Sequence, residues 1–378
     1  MRTIALLAML VAAIVAVAWW IARHDPAWRV RPPADPPHLG VGGRTMGGTW
    51  SVRYARTLNP AETAELFVAC QAALDRIEMQ MSTWLPESDL SKFNASASTD
   101  WQPVPRELAE VVVEAQRIAE QTNGVFDITV APVVNAWGFG PQISQGGSRR
   151  VPDRKVLDPA RAAVGYRQLE ARLTPPSVRK TNPSVQIDLS AIAQGYAVDR
   201  LMELMQARGF GDVLVEVCGE VRAAGNAPAG RPWQIGIETP KADTFRVYRR
   251  VRLVDIGLAT SGGYRNYFDS DGVRYSHEIE PRTGEPVRHA LAAVSVAHPS
   301  AATADALATA LLVMGPEEGP RFATAQGIDA LFVARQGDRF VPITTGNFAD
   351  CLLPADAEKD DVDAADTPKP GPTTEPRP

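Results

Sequence analysis

The sequence predicts an α+β fold, and three observations carry that prediction. Helix-spaced segments come mainly early and strand-like segments cluster later. The two kinds never settle into a strict strand–helix alternation. No GxGxxG follows a first strand, which argues against a dinucleotide-binding domain of the doubly wound kind.

The elements follow in order. Thr49-Trp50-Ser51-Val52-Arg53-Tyr54 alternates as a half-buried strand does. Asn59-Pro60-Ala61-Glu62 starts a helix, with a cap, a proline at the first position and an acid three residues after the cap. Leu66, Cys70, Leu74, Ile77 and Met81 then recur at helical spacing. A second helix shows Leu108, Val112, Ala115 and Ile118 and is closed by Asn123-Gly124. At Ile187-Asp188-Leu189-Ser190-Ala191-Ile192-Ala193-Gln194-Gly195 an apolar strand should give way to a third helix, with Ser190 as its cap. That helix runs through Leu201, Met202 and Met205 and stops at Gly209. Its first turn carries nothing bulky, so N–H groups are open to an anionic ligand, although an ordinary capped helix uses the same letters. Strands are expected at Val213–Cys218, Trp233–Glu238, Val251–Leu258 and Ala292–Ala297. A fourth helix, Thr303–Met314, should end at Gly315.

Composition bounds the protein class. The chain has 378 residues, 45% hydrophobic and 22% charged, which suits a globular core. A formal net charge of -5 leaves no electrostatic footprint for nucleic acid. Cys70, Cys218 and Cys351 form no CxxC pair, so neither a zinc ribbon nor a disulfide scaffold is present. Residues 1–23 read as a membrane anchor or signal segment: Ile4 to Ala22 is uncharged, ends near Trp19 and Trp20, and at helical rise covers about 28 Å. Ala16-Val17-Ala18 could serve as a cleavage site in the rival, signal-peptide reading. Either reading exports the rest. Residues 24–43 read as a Pro/Gly linker, 44–353 as the folded domain and 354–378 as a disordered acidic, proline-rich tail.

Several residue groups could carry chemistry. Asp305 and Thr309 lie four apart, hence on one helix face, among small apolar residues. The acid is either favoured by the helix dipole near the first turn or part of a hard-cation site of oxygen donors. Between Thr260 and Gly284 lies a polar, glycine-rich stretch whose hydroxyls, Ser276 among them, and glycine N–H groups suit phosphate. His277 is the histidine embedded in that motif. Phe126 and Asp127, in a segment of aromatics and glycines, could wall a flat ring, as could Met46 and Trp84. A core with a turn would use similar letters.

Taken together in this order, the motifs resemble the ApbE family of FAD:protein FMN transferases. The likeness runs from about Met46 to Gly315 and rests on Met46-Gly47-Gly48-Thr49-Trp50, Met81-Ser82-Thr83-Trp84, Phe126-Asp127-Ile128-Thr129-Val130, Trp137-Gly138-Phe139-Gly140, Asp188 to Asp199, Ala259-Thr260-Ser261-Gly262, His277 with Pro281-Arg282-Thr283-Gly284, and Thr303-Ala304-Asp305-Ala306. The resemblance implies a T-fold-like core of mixed helices and antiparallel sheet, in an exported and often membrane-anchored protein. It implies FAD as substrate, Mg2+ as cofactor, and transfer of FMN to a threonine of an acceptor flavoprotein with release of AMP. It would make Asp305 and Thr309 side-chain metal ligands, with the Ala191 carbonyl joining them. Asp188, Gln194, Met46, Trp84, Phe126, Asp127 and Ser276 would contact FAD. His277 would take the proton, with Asp188 or Asp199 as other candidates. This chain departs from the family where Gln194 replaces a frequent lysine, Glu280 a frequent aspartate, Gly263 an acid and Cys218 a glycine.

The implied chemistry is coherent. Attack of a threonine hydroxyl on a diphosphate needs charge neutralisation, in-line positioning and a proton acceptor. Imidazole is the side chain whose ordinary protonation change falls nearest neutral pH. The same site could instead act as an FAD pyrophosphatase giving FMN and AMP. A non-catalytic exported FAD-binding protein is the reading from another class.

Overall fold

A computed structural model describes residues 40–141, 149–242 and 245–354, which fall in one unit spanning Leu39 to Glu358. The expected anchor, most of the expected linker and nearly all of the expected tail lie outside the described residues. Residues 40–43 correct the linker boundary: they open strand β1 (Gly40–Thr45), which pairs with the next strand from Gly40↔Arg53 to Thr45↔Gly48.

That pair starts an eight-stranded antiparallel sheet. After β1 come β2 (Gly48–Tyr54), β3 (Val213–Val217), β4 (Glu220–Ala224), β5 (Gly257–Ser261), β6 (Leu291–His298), β7 (Asp329–Gln336) and β8 (Arg339–Thr345). Their order across the sheet is their order along the chain, so the sheet is a meander with helices inserted in its long connections. The α+β expectation holds.

Strand alternation gives the sheet two apolar faces. Val213, Val215 and Val217 of β3, and Ala330, Phe332 and Ala334 of β7, point into the core shared with the helices. Leu214, Leu331 and Val333 point into a second core. There Trp233, Ile237, Val251 and Leu253 of the hairpin Trp233–Glu238/Val247–Leu253 cover them. Period-2 placement thus fixes which strand residues meet helices. The expected strand Val251–Leu258 is two strands instead, the end of that hairpin and the start of β5. The break lies at Asp255, whose φ of 50 is left-handed and whose carboxylate accepts the Gly225 N–H at 2.9 Å.

Four long helices lie on the first face. Helix α1 (Pro60–Met81) has the expected capping box, with Glu62 N–H donating to Asn59 Oδ1 and Asn59 N–H to the Glu62 carboxylate. Helix α2 (Arg106–Gln121) ends where Asn123 and Gly124 turn left-handed. Helix α3 is Ala193–Ala207, with no side-chain cap, which corrects the role expected for Ser190. Residues 188–192 form a turn instead: Ser190 N–H donates to Asp188 Oδ1, and Ala193 N–H closes on the Leu189 carbonyl. Nor does the segment before it join a sheet. The Asn94 side chain accepts from Ile187 N–H at 2.7 Å and donates to Ile187 O at 2.8 Å, doing for one residue what a neighbouring strand would do.

Helix α4 (Ala301–Gln326) continues past the expected stop. Gly315, at φ 82 and ψ -172, breaks it, and Pro316 then occupies the first position of a new helical stretch, where a missing N–H does no harm. Helices α3 and α4 touch backbone to backbone at Gly195, where an added Cβ would lie 2.3 Å from the Ala301 carbonyl oxygen and 2.7 Å from Ala302 Cα. Gly195→Ala must therefore push the helices apart, and a loss of about 3 kcal/mol is expected in chemical denaturation. Wild-type stability in that variant would show the contact to be soft.

Asp199 locks the same pair. Its carboxylate accepts from Ser300 Oγ (2.8 Å), Ala301 N–H (3.0 Å), Ala302 N–H (3.1 Å) and Arg222 (2.7 Å). Its oxygens are spent on the start of α4, which removes it as a proton acceptor in the reaction.

Candidate active site

Where the starts of α3 and α4 meet the ends of β4 and β5, a cavity of about 440 Å³ opens. The 124–140 segment and the loop carrying His277 close its other walls. Nine of the residues singled out in the sequence line it: Trp84, Phe126, Asp127, Asp188, Ala191, Gln194, His277, Asp305 and Thr309. Met46 lines a neighbouring cleft, which shares Trp84, Ser190 and Gln194 with the cavity. Met46 sits at the β1–β2 turn with φ 48, followed by Gly47 at φ 77, the tight hairpin geometry that usually demands glycine or asparagine. Ser276 is not among the lining residues. Its hydroxyl accepts the Glu278 N–H and faces Gly263, where an added Cβ would lie 2.4 Å away.

Asp305 is the electrostatic centre. It is 4% exposed, and its Oδ2 accepts the Gly195 N–H at 3.1 Å. That bond takes the N–H that would otherwise turn back to the Ala191 carbonyl. Burial, with the charge of Glu278 adding to it, lifts the Asp305 carboxyl to about 7. One turn on, the Thr309 hydroxyl lies 2.9 Å from Ser261 Oγ at the end of β5.

The lining residues include Asp127, Asp188, Glu220, Glu278 and Asp305 and, among the described residues, no lysine or arginine. Among the described residues no three His, Cys, Asp or Glu form a metal cage. The donors here are mixed instead: a carboxylate, hydroxyls and a backbone carbonyl, the oxygen set that Mg2+ takes while keeping waters and phosphate. A diphosphate entering a cavity so acidic needs a cation with it. The residues present fit Mg2+.

His277 stands 33% exposed on the opposite wall. Its Nδ1 lies 3.0 Å from the Asn266 carbonyl oxygen, which can only accept, so Nδ1 carries the hydrogen and Nε2 is left as the base. Nε2 is 3.5 Å from Glu278 Oε1, a carboxylate placed to stabilise the imidazolium once a proton arrives. Phe139 packs edge-on against the ring, with centroids 6.3 Å apart.

Asp127 plays a different part. It is 6% exposed, and its oxygens accept from Thr129 N–H, Thr129 Oγ1 and Tyr166 N–H. Burial raises its carboxyl, with those bonds opposing the rise. It shapes the Phe126 wall rather than offering a free carboxylate. Cys218 lies in the β3–β4 turn at φ 55, a conformation that favours glycine, and burial pushes its thiol up to about 12. Its role is steric. Glu220 and Glu278 are cavity residues to which sequence reasoning gave no role, and Ser261 is one of the hydroxyls of the Thr260–Gly284 stretch expected to suit phosphate. For Glu220 the available signal was an acid standing beside a strand of apolar residues.

The ApbE family model matches residues 46–332. The chain belongs to the ApbE family. It is 38% identical over 316 residues to the FAD:protein FMN transferase of Vibrio cholerae, covering 84% of this chain and 92% of that protein. Among solved structures, the flavin transferase ApbE from Vibrio cholerae superposes with a TM-score of 0.75 at 36% identity, covering 83% of this chain and 99% of that one. The apo flavinyl transferase ApbE of Pseudomonas stutzeri gives 0.75 at 40% identity, covering 83% of this chain and 96% of that one. All the residues lining the ApbE cavity of this chain lie inside the matched span.

Proposed function

We infer that this protein transfers the FMN part of FAD to a threonine of an acceptor flavoprotein and releases AMP. The flavin-transferase activity of its ApbE relatives supports this reading. So does one observation above the others: Asp305, Thr309 and the Ala191 carbonyl share a cavity with His277. The threonine oxygen forms a new bond to the FMN phosphorus as the bond from that phosphorus to the AMP oxygen breaks. The threonine proton passes to His277 Nε2, whose hydrogen-bonded Nδ1 holds the ring in the accepting tautomer. Phe126 and Trp84 offer faces for the ring systems of FAD, while Asp188 and Gln194 offer polar atoms at the cavity wall. Asp305, Thr309 and the Ala191 carbonyl would hold Mg2+, which when bound supplies charge neutralisation for the diphosphate and the departing AMP.

Two further readings rest on sequence. The apolar segment Ile4–Ala22 anchors the protein in the membrane, and the catalytic domain works on the extracytoplasmic side, in the periplasm where there is one. Intact mass of the exported protein checks the anchor: a product lacking the first residues would replace the anchor with a cleaved signal peptide.

The activity is tested by mass spectrometry of a candidate acceptor co-expressed with this protein. One added FMN on a threonine is expected, and its formation in vitro should stop when EDTA removes divalent cations. Release of free FMN at the full rate without acceptor would replace transfer with pyrophosphatase chemistry. Bound FAD with no product at all would leave a carrier.

A further inference from the structure

Glu220 has no part in the steps above. It opens β4 directly after the Cys218-Gly219 turn and is 6% exposed. Its Oε2 is buried and has no hydrogen-bond partner among the described residues. A carboxylate so placed is costly to ionise unless a cation or several donors face it. Its surroundings supply one donor, its own backbone N–H. The charges that act on it are those of Asp305 and Glu216, both negative. Glu216 differs, because its own oxygens accept from Gly219 N–H at 3.0 Å and Ser51 Oγ at 3.2 Å. Glu220 lines the same cavity as Asp305, and among the described lining residues there is no lysine or arginine. When Glu220 is ionised, a positive partner from solution is what its place in the cavity calls for.

We propose that Glu220 is the second carboxylate of the cation site, holding the divalent ion together with Asp305 from the β4 wall of the cavity. This rests on the cation reading given above and extends it to a residue on another element. Asp305 and Glu220 together balance the two charges of the ion. Binding the ion displaces the protons that burial favours on the two carboxylates, and the diphosphate then meets a cation rather than bare acids. The contribution of Glu220 is largest without FAD, because bound diphosphate brings anionic oxygens of its own.

The test uses the full chain and Mn2+, with free Mn2+ read by electron paramagnetic resonance, in the absence and presence of FAD. Glu220→Gln keeps the shape and removes the charge. Its Mn2+ affinity without FAD is expected to fall about 10- to 100-fold, and by less with FAD present. Glu220→Asp, which keeps the charge on a shorter arm, should lie between the two and also serves if the glutamine variant does not fold. Unchanged Mn2+ affinity in both folded variants overturns the proposal. Wild-type protein that binds no Mn2+ with or without FAD would remove the underlying cation reading as well. A purely structural Glu220 would instead lower the thermal midpoint and leave Mn2+ affinity alone.

Discussion

Asp305→Asn is expected to lower FMN transfer by about 10³-fold or more while leaving the protein folded and at least as stable. The two halves of that result have different causes. Asparagine has the same shape, and its Oδ1 can still accept the Gly195 N–H that Asp305 Oδ2 accepts at 3.1 Å, so the contact between α3 and α4 survives. What disappears is the negative charge that a buried lining residue of the cavity can carry. Without it the residues facing the diphosphate keep their repulsion and lose their hold on the cation, a loss of charge stabilisation comparable to removing a principal phosphate-neutralising group.

Stability moves the other way because an acid 4% exposed beside Glu220 and Glu278 is unfavourable when ionised. The sign follows from linkage. Asp305 titrates at about 7 in the fold, against an ordinary carboxylate value near 3.8 in the unfolded chain. Between those values the native state holds a proton that the unfolded chain has released. Raising the pH through that window, with metal removed by EDTA, therefore lowers stability. Above pH 7 both states are ionised and the penalty stays constant. Asp305→Asn should flatten this part of the profile, measured as thermal midpoint against pH. A variant that is inactive and unfolded, or fully active, would contradict the assignment.

The parts of this site that were readable in the sequence are those carried by local rules. The Asn59 capping box, the apolar spacing of α1 and α2 and the Asp305–Thr309 spacing depend only on neighbours within a turn or two, and each reappears in the structure. Glu220 and Glu278 depend on the meander, which brings the start of β4, the end of β5 and the loop after it to one cavity although they are far apart in the chain. No local pattern encodes that meeting. Carboxylates resist local reading for another reason. Asp127, Asp188, Asp199 and Asp305 carry the same letter, yet Asp199 spends both oxygens on the start of α4 and Asp127 caps a turn. Whether an acid is spent depends on N–H groups supplied by other segments, so it shows only in three dimensions. Ser190 fails as a cap for a related reason: Leu189 O and Asp188 Oδ1 already close that turn.

His277→Ala is the second large loss to expect, about 10²- to 10⁴-fold in the rate of transfer at saturating FAD and acceptor. FAD affinity should change little, because the aromatic faces of Phe126 and Trp84 and the residues of α3 and α4 are untouched by the substitution. The two ring nitrogens of His277 have different partners, and that difference makes a base of one of them. Nδ1, 3.0 Å from a carbonyl oxygen that can only accept, carries a hydrogen, so in the neutral ring the lone pair is on Nε2. After proton uptake the ring becomes cationic, and Glu278 Oε1, 3.5 Å from Nε2, stabilises that state more than the neutral one. That difference favours the product side of the proton transfer. A residue that merely shaped the pocket would not be replaceable by a small base in solution, whereas a lost proton acceptor would. Added imidazole should therefore restore part of the rate to His277→Ala, with the rescue growing as pH rises and more of the added base is neutral. Turnover equal to wild type, or a loss that imidazole cannot relieve while FAD binding collapses, would remove His277 from the chemistry and leave it as part of the wall.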